Sequence, residues 1–375
     1  MTVLPTDERR ELACSIRAAC AKFASQERVR AAAYDGDGGR GGVDAELWTV
    51  LCAQIGVAQV ALPERLGGAG YGASALGVVA HELGRVLAPV PFVASAVLAT
   101  GLLLDASAGD RDARLSGLLS GRRTAAAAIT GDGGLWSRAA ITLNASRSGD
   151  DWRIDGTVRH VLNGTAADDL LVVATVGSEP AVFLLDRTAE GVTAVAERVL
   201  DGTRPMATIT CTGAPAALLT GEGPADDLIE RNVNLALAIL SAEQVGACER
   251  VLEIAADYAR TREQFDRPIG SFQAIKHKCA DMLVDLEWAR SASQAALQAL
   301  DNRDSESTWR ASMAKAVCSE SLRNAAHANV QIHGGIGFTW EDSAHLYLRR
   351  ARTDEVLFGA PGQHWDRVSA HAKLL

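Results

Sequence analysis

Arg262-Glu263-Gln264-Phe265-Asp266-Arg267-Pro268-Ile269-Gly270-Ser271-Phe272-Gln273 and, farther on, Gln331-Ile332-His333-Gly334-Gly335-Ile336-Gly337-Phe338 are the two stretches that decide how this chain is read. In the first, Pro268 cannot continue a helix interior and Gly270 permits a sharp turn, so the stretch is a corner between two long helices. A guanidinium held at such a corner can make paired hydrogen bonds to phosphate oxygens. In the second, Gly334, Gly335 and Gly337 remove side chains where a backbone must approach something closely. Taken singly, each has an ordinary explanation: a surface arginine beside a core phenylalanine, and a glycine-rich helix stop.

Working outward, residues from about Thr6 to Arg123 read as helical, rich in Ala, Leu, Glu and Arg and broken at intervals by Gly and Pro. Asp35–Gly42 is a flexible loop by composition, and Pro63-Glu64-Arg65-Leu66-Gly67-Gly68-Ala69-Gly70-Tyr71-Gly72 is a second breaker cluster. From Thr124 the character changes to short β-like runs: Ala125–Thr130, Ala139–Ser146, Trp152–Val161, Leu170–Val176, Ala181–Leu185 and Met206–Cys211. They predict a small antiparallel sheet or barrel, in which Asn163-Gly164 is a hairpin turn. From Asp226 the pattern is helical again. Phe272, Ile275, Cys279, Met282, Leu283 and Leu286 recur at spacings of three and four, on one helix face. Long helices with short connections predict an antiparallel bundle. The fold class is α+β, in three parts: 1–123 helical, 124–222 β, 223–375 a four-helix bundle.

Composition narrows the function classes. The 375 residues carry a net charge of -9, which argues against a general nucleic-acid binder or a basic membrane-surface protein. The seven cysteines are scattered and never spaced as CxxC, so neither a metal site nor a disulfide framework is expected. Met1–Arg17 mixes acids and bases without an apolar core, and no segment has the apolar length of a membrane span. The expected setting is the reducing cytoplasm.

The two opening strings, the Pro63–Gly72 turn and the helix, β, helix-bundle order together resemble the acyl-CoA dehydrogenase family over nearly the whole chain. The resemblance implies FAD as cofactor and α,β-desaturation of an acyl-CoA thioester. It implies that Arg262 reaches the FAD pyrophosphate across a subunit interface, that Phe265 packs beside the flavin nucleotide, and that Gln273 lies near the cofactor. Gln331 and Gly335 would contact the ADP portion of FAD bound mainly by the neighbouring subunit. His333 would be structural.

The chain also departs from the family pattern. The family's Thr-Glu-Pro-Gly-Ala-Gly-Ser-Asp string reads here Thr130-Gly131-Asp132-Gly133-Gly134-Leu135-Trp136-Ser137, and its Trp-Ile-Thr-Asn-Gly string reads His160-Val161-Leu162-Asn163-Gly164. Where the family has a catalytic glutamate in a Tyr-Glu-Gly turn, this chain has Leu357-Phe358-Gly359, and Phe358 cannot accept a proton. The family's second location for that glutamate falls near Ala236. Glu243 is the nearest acid on that helix, and Asp354 and Glu355 lie close to Phe358 in sequence.

Motifs that a subunit lends to its neighbour are thus kept, and motifs that serve its own flavin ring are eroded. That pattern resembles the β-type, base-lacking subunit of actinobacterial α2β2 acyl-CoA dehydrogenases that act on steroid or other bulky acyl-CoA. The resemblance implies a homologous partner subunit supplying the glutamate, with an electron-transfer flavoprotein or oxygen as electron acceptor. A homotetramer with a displaced base such as Glu243, a cofactor-free scaffold of the same fold, and nitroalkane oxidase-like or monooxygenase chemistry stand as alternatives at this stage.

Overall fold

The computed structural model describes residues 4–34, 41–104, 111–149, 151–220 and 223–373. Most of the predicted loop at Asp35–Gly42 therefore lies outside the described residues. Six helices come first: α1 (Thr6–Phe23), α2 (Gln26–Tyr34), α3 (Ala45–Val50), α4 (Ala73–Arg85), α5 (Thr100–Leu104) and α6 (Arg111–Leu119). A π-helical stretch, Phe92–Ala99, runs into α5 and is buried along its whole length. The breaker cluster is a tight turn: Gly67 has φ 82°, and a Cβ on Gly68 would fall 2.1 Å from the Leu62 carbonyl oxygen, so no side chain fits there.

Seven strands follow: β1 (Ala125–Ala128), β2 (Leu143–Ser148), β3 (Asp151–Leu162), β4 (Asp169–Val176), β5 (Glu179–Asp186), β6 (Val192–Ala196) and β7 (Met206–Leu218). The order β4-β2-β3-β7-β5 closes on itself because β5 also pairs with β4, giving a small barrel with β1 and β6 on its edges. Three details differ from the sequence reading. The pairings β1–β4 and β2–β4 are parallel, so the sheet is mixed rather than wholly antiparallel. β6, a five-residue strand of mostly small or β-branched residues (Val192-Thr193-Ala194-Val195-Ala196) that are exposed or half-buried, lies outside the predicted runs. Asn163, at φ 55°, turns the chain from β3 to β4, which do not pair with each other, so Asn163-Gly164 is a crossover turn and not a hairpin.

The continuous apolar run of β4 has a physical reason. Leu170, Val172 and Ala174 point into the barrel, while Leu171 and Val173 point outward into the helical core. A strand buried on both faces loses the polar alternation of a solvated one.

The last part holds α7 (Asp226–Thr261), α8 (Gln273–Asp301), α9 (Ser307–His333), α10 (Ala344–Val356) and α11 (Pro361–His371). α7, α8, α9 and α10 form the bundle, and α11 lies against α9. On α8, Met282 and Leu286 are buried as the spacing predicts, but Leu283 is off that face, 49% exposed beside Val284 and Trp288. α4 docks closely on α7 because both helices carry glycine at the crossing. A Cβ on Gly84 would sit 2.1 Å from Glu243 O, and one on Gly246 would sit 2.0 Å from His81 O.

Two charge networks join the parts. His81 on α4 places one ring nitrogen 2.8 Å from Glu249 on α7 and the other 3.4 Å from Glu82, which also takes Arg17 of α1. Burial works against the imidazolium, but the hydrogen bonds to Glu249 and Glu82 outweigh it and raise the His81 pKa. A proton held more tightly in the folded state stabilises that state at low pH. The contribution is therefore complete below the ordinary value of 6.5 and is lost as the pH rises through the raised folded value. Urea unfolding of the His81→Gln variant should lack that decline above neutrality; a parallel decline in both proteins would assign it elsewhere.

The second network is buried. Arg350 donates to Asp201 at 2.6 Å, to Thr203 Oγ1 at 2.6 Å and to Glu243, and Arg204 donates to Glu243 at 2.8 Å and to Asp354. Burial opposes the charge on Arg350, yet Asp201 and Glu243 outweigh it and its pKa rises. Removing one partner of such a buried set typically costs about 3–5 kcal/mol. Arg350→Met should lower the unfolding free energy by that order, read from the urea midpoint, whereas a surface change such as Arg262→Gln should leave the midpoint in place.

Candidate functional site

The corner after α7 is built by short-range geometry. Glu263–Gln264 pairs with Arg267–Pro268, joined by Phe265 and Asp266 at φ 54° and 59°. Two consecutive left-handed residues make the hairpin turn whose twist matches the flanking strands. A bulky residue rarely adopts this conformation, and the cost is on the order of 1–3 kcal/mol. The result is that Phe265 stands 85% exposed at the tip, its ring edge-on to Phe272. Arg267 lies over the Phe272 ring at 4.1 Å, which steadies the base of the hairpin. Gly270 lets the corner close on α7, since a Cβ there would fall 2.8 Å from Ala259 O.

Arg262 is the C-cap of α7, with its backbone tied to Tyr258 and Ile269. Its side chain is exposed and has no partner among the described residues. Gln273, the first residue of α8, is also exposed, and its side chain is unpaired among the described residues.

The second stretch comes to the same end of the bundle. His333, buried, stacks on Tyr258 with ring centroids 4.1 Å apart and places Nδ1 2.9 Å from Asn329 O. Its role is to join the ends of α7 and α9. Gln331 lies exposed just before it. Gly334 breaks the helix at φ 65°, and neither Gly334 nor Gly335 has any atom within 4 Å of where a Cβ would be. The backbone there is bare and open. The structure thus brings Arg262, Phe265, Gln331 and Gly335 to one end of the bundle, outward-facing, with no hydrogen-bonding partner for the Arg262 or Gln331 side chain among the described residues.

The Phe358 region is the opposite case. Phe358 has φ 58°, its N–H donates to Gly133 O at 2.9 Å, and its carbonyl lies 3.1 Å from His364 Nε2. Burial drives the His364 pKa down to about 3, so that ring is neutral. Lys315, fully buried on α9, donates to Gly359 O, Glu355 O and Ser319 Oγ at 3.1, 3.2 and 3.0 Å. Burial lowers its pKa to about 8.

Phe358, Trp136, Val233, Leu98 and Leu162 line a cavity of about 20 Å³. That is room for one water molecule. Cofactor and ligand pockets are commonly about 300–1,000 Å³. Trp136 is buried, and Leu135 packs against Gly359. The Gly131–Ser137 stretch therefore folds two bulky side chains toward the Phe358 turn. This plug was not anticipated; the replacement of small residues by Leu135-Trp136 was the signal for it.

Among the described residues, no carboxylate lines this cavity. Glu243, the acid considered as a displaced base, is instead buried between Arg204 and Arg350. Asp354 is bound by Arg204, and Glu355 by Arg323 and Arg352 at 2.6 Å each. Ala236 is fully buried. Glu243, weighed in the sequence only as a weak candidate, sits in the buried ion-pair set and is not among the residues that line the cavity. Glu243→Gln should therefore act on stability, with a lowered urea midpoint; loss of activity at unchanged stability would contradict this placement.

Comparison with known proteins agrees with the architecture. The family described as acyl-CoA dehydrogenase, N-terminal domain, matches residues 7–122, and acyl-CoA dehydrogenase, C-terminal domain, matches residues 227–373. The chain is 34% identical to the acyl-CoA dehydrogenase IpdE2 of Mycobacterium tuberculosis over 98% of both chains. It is 34% identical to acyl-CoA dehydrogenase FadE34 of the same organism, where it spans 48% of the longer protein. Among solved structures, a variant of the Tcur3481-Tcur3483 steroid ACAD superposes with a TM-score of 0.88 at 30% identity, covering 98% of this chain and 99% of that one. The ChsE4-ChsE5 complex from Mycobacterium tuberculosis superposes at 0.88 and 29% identity, with full coverage of both chains.

Proposed function

Because this chain belongs to the acyl-CoA dehydrogenase family, we propose that it is the lending subunit of a mixed α2β2 oligomer, completing the FAD site of a homologous partner that supplies the catalytic glutamate. The single observation that carries the proposal is the contrast between its two halves. The groups that would serve a neighbour are exposed, and the place where its own flavin ring would lie is reduced to about 20 Å³. The residues present therefore fit one part of FAD and not another. Arg262, Gln331 and the bare backbone at Gly335 fit a pyrophosphate and nucleotide brought by a second subunit; the Trp136–Phe358 cavity does not admit an isoalloxazine ring.

When bound, FAD supplies acceptance of hydride from the acyl β-carbon. This chain's own part is positional. Arg262 neutralises phosphate charge with two parallel donors. Phe265, held outward by its turn, covers one side of the nucleotide and excludes water. Gly335 lets the backbone approach without a side chain between. Gln331 offers an amide that can donate and accept, and Gln273 stands close to the corner as a further polar contact. The bundle fixes all of these on helix ends rather than on free loops, which keeps them preorganised.

The similar structures, one named as the Tcur3481-Tcur3483 steroid ACAD and one as the ChsE4-ChsE5 complex, support a bulky, steroid-type acyl-CoA as substrate and an unlike subunit as partner. An electron-transfer flavoprotein is the proposed acceptor. The alternative of a complete homotetramer loses its base, since Glu243 is committed to two arginines.

Co-expression with the partner subunit and measurement of flavin absorbance tests the proposal. Arg262→Gln should lower flavin occupancy of the complex about tenfold, consistent with loss of a charged hydrogen bond worth about 1.5–3 kcal/mol. Trp136→Ala should leave occupancy and turnover of the complex unchanged. Flavin bound stoichiometrically by the isolated chain, or turnover without the partner, would overturn the assignment.

A further inference from the structure

A second hollow lies away from the Trp136 cavity and shares no lining residue with it. It is a groove of about 420 Å³ between α4 and α8, with α7 as floor and α1 as outer wall. Its size falls within the range of small-ligand sites. Val78, Ala242, Val245 and Leu297 give it an apolar base. Three arginines, Arg9, Arg10 and Arg290, and His81 lie along it with two carboxylates, Glu82 and Asp301. That local excess stands on a chain whose net charge is -9.

The carboxylates are already engaged. Glu82 is taken by Arg17 and His81, and Asp301 accepts the Ser74 N–H at 3.2 Å. Arg290 is shared with Glu287 and Glu249. Arg10 has only a 3.7 Å contact with Asp7, whose side chain is 96% exposed. The Arg9 side chain has no partner among the described residues. The two arginines of α1 are therefore the available cations, standing over an apolar floor. The amides of Gln294 and Gln298 add neutral donors along the α8 side.

The groove is held open by rigid parts. Gly77 lets α4 close on α8, since a Cβ there would lie 2.6 Å from Leu297 Cδ1. Asp301 clamps the start of α4 at one end, and the His81–Glu249 pair joins α4 to α7 at the other.

We propose that this groove binds an amphipathic monoanion, a carboxylate on an alkyl or alicyclic body, with Arg9 and Arg10 on the carboxylate and the Val78–Leu297 floor under the apolar part. Its occupant is distinct from any thioester handled at the flavin site, and the proposal does not rest on the subunit assignment above.

Titration calorimetry on the full chain tests it, with decanoate, decylammonium and decanol as probes. Decanoate should bind, and decylammonium and decanol should bind at least about tenfold more weakly. Arg9→Gln/Arg10→Gln should weaken decanoate about tenfold while thermal melting stays unchanged, because both side chains are exposed. Ala13→Trp, which fills the groove from α1, should abolish binding. Equal binding of the three probes, or decanoate binding unchanged in either variant, would overturn the proposal.

Discussion

Five buried charged groups, Arg204, Arg350, Asp201, Glu243 and Asp354, hold the barrel, α7 and α10 in one arrangement. Two guanidiniums face three carboxylates, and Lys315, which interacts with Asp354, brings the count to three of each sign. Burial, with Glu243 and Asp201 adding to it, nonetheless pushes Asp354 up to about 6 against the pull of Arg204 and Arg350. Such a set is weak evidence for net stability, because desolvation offsets much of the attraction. It is strong evidence for specificity of arrangement: any other docking of the 201–204 segment on α7 would strand a buried charge. Because that segment is the approach to β7, the network fixes where the barrel sits, and hence where β1 and the Gly131–Ser137 stretch meet the Phe358 turn.

This placement explains why the chain's two functional faces have such different character. The Arg262 corner and the Gly334–Gly335 bend lie at helix ends, where backbone groups are open and geometry is set locally by turn residues. They can therefore be complete within one chain. The Phe358 turn lies where the helical parts and the barrel converge, so its shape is a product of all three. A change in any one of them fills or empties it. Here Trp136 and Leu135 fill it.

The parts legible in the sequence were those with local causes. The helix corner at Pro268 and Gly270, the helix stop at Gly334 and six of the seven strands followed from turn chemistry and apolar runs. The absence of a carboxylate from the Phe358 turn could be read from a single position. What could not be read depended on distant partners. The parallel pairings of β1 and β2 with β4 come from barrel closure, not from either strand's own pattern. β6 is a five-residue edge strand, too short for its apolar residues to stand out from the flanking loops. Leu283 satisfied the spacing rule, yet a three-four recurrence defines a stripe wider than the buried face, and its border residue turned outward. Glu243 looked available as an acid only because Arg204 and Arg350, separated from it by 39 and 107 positions, meet it through the fold and not through the sequence.

The Phe358 turn is held in an unusual backbone shape by its neighbours. A phenylalanine at φ 58° is strained by roughly 1–3 kcal/mol, and such strain persists only when neighbours over-determine it. Here they do: Gly133 takes the N–H, His364 meets the carbonyl, and Lys315 holds Gly359 from below. A buried lysine with two of its three hydrogen bonds on the backbone around this turn, at Glu355 O and Gly359 O, fixes the turn's shape. The turn thereby places Phe358 on the same small cavity as Trp136, with the backbone turning the aromatic ring toward it.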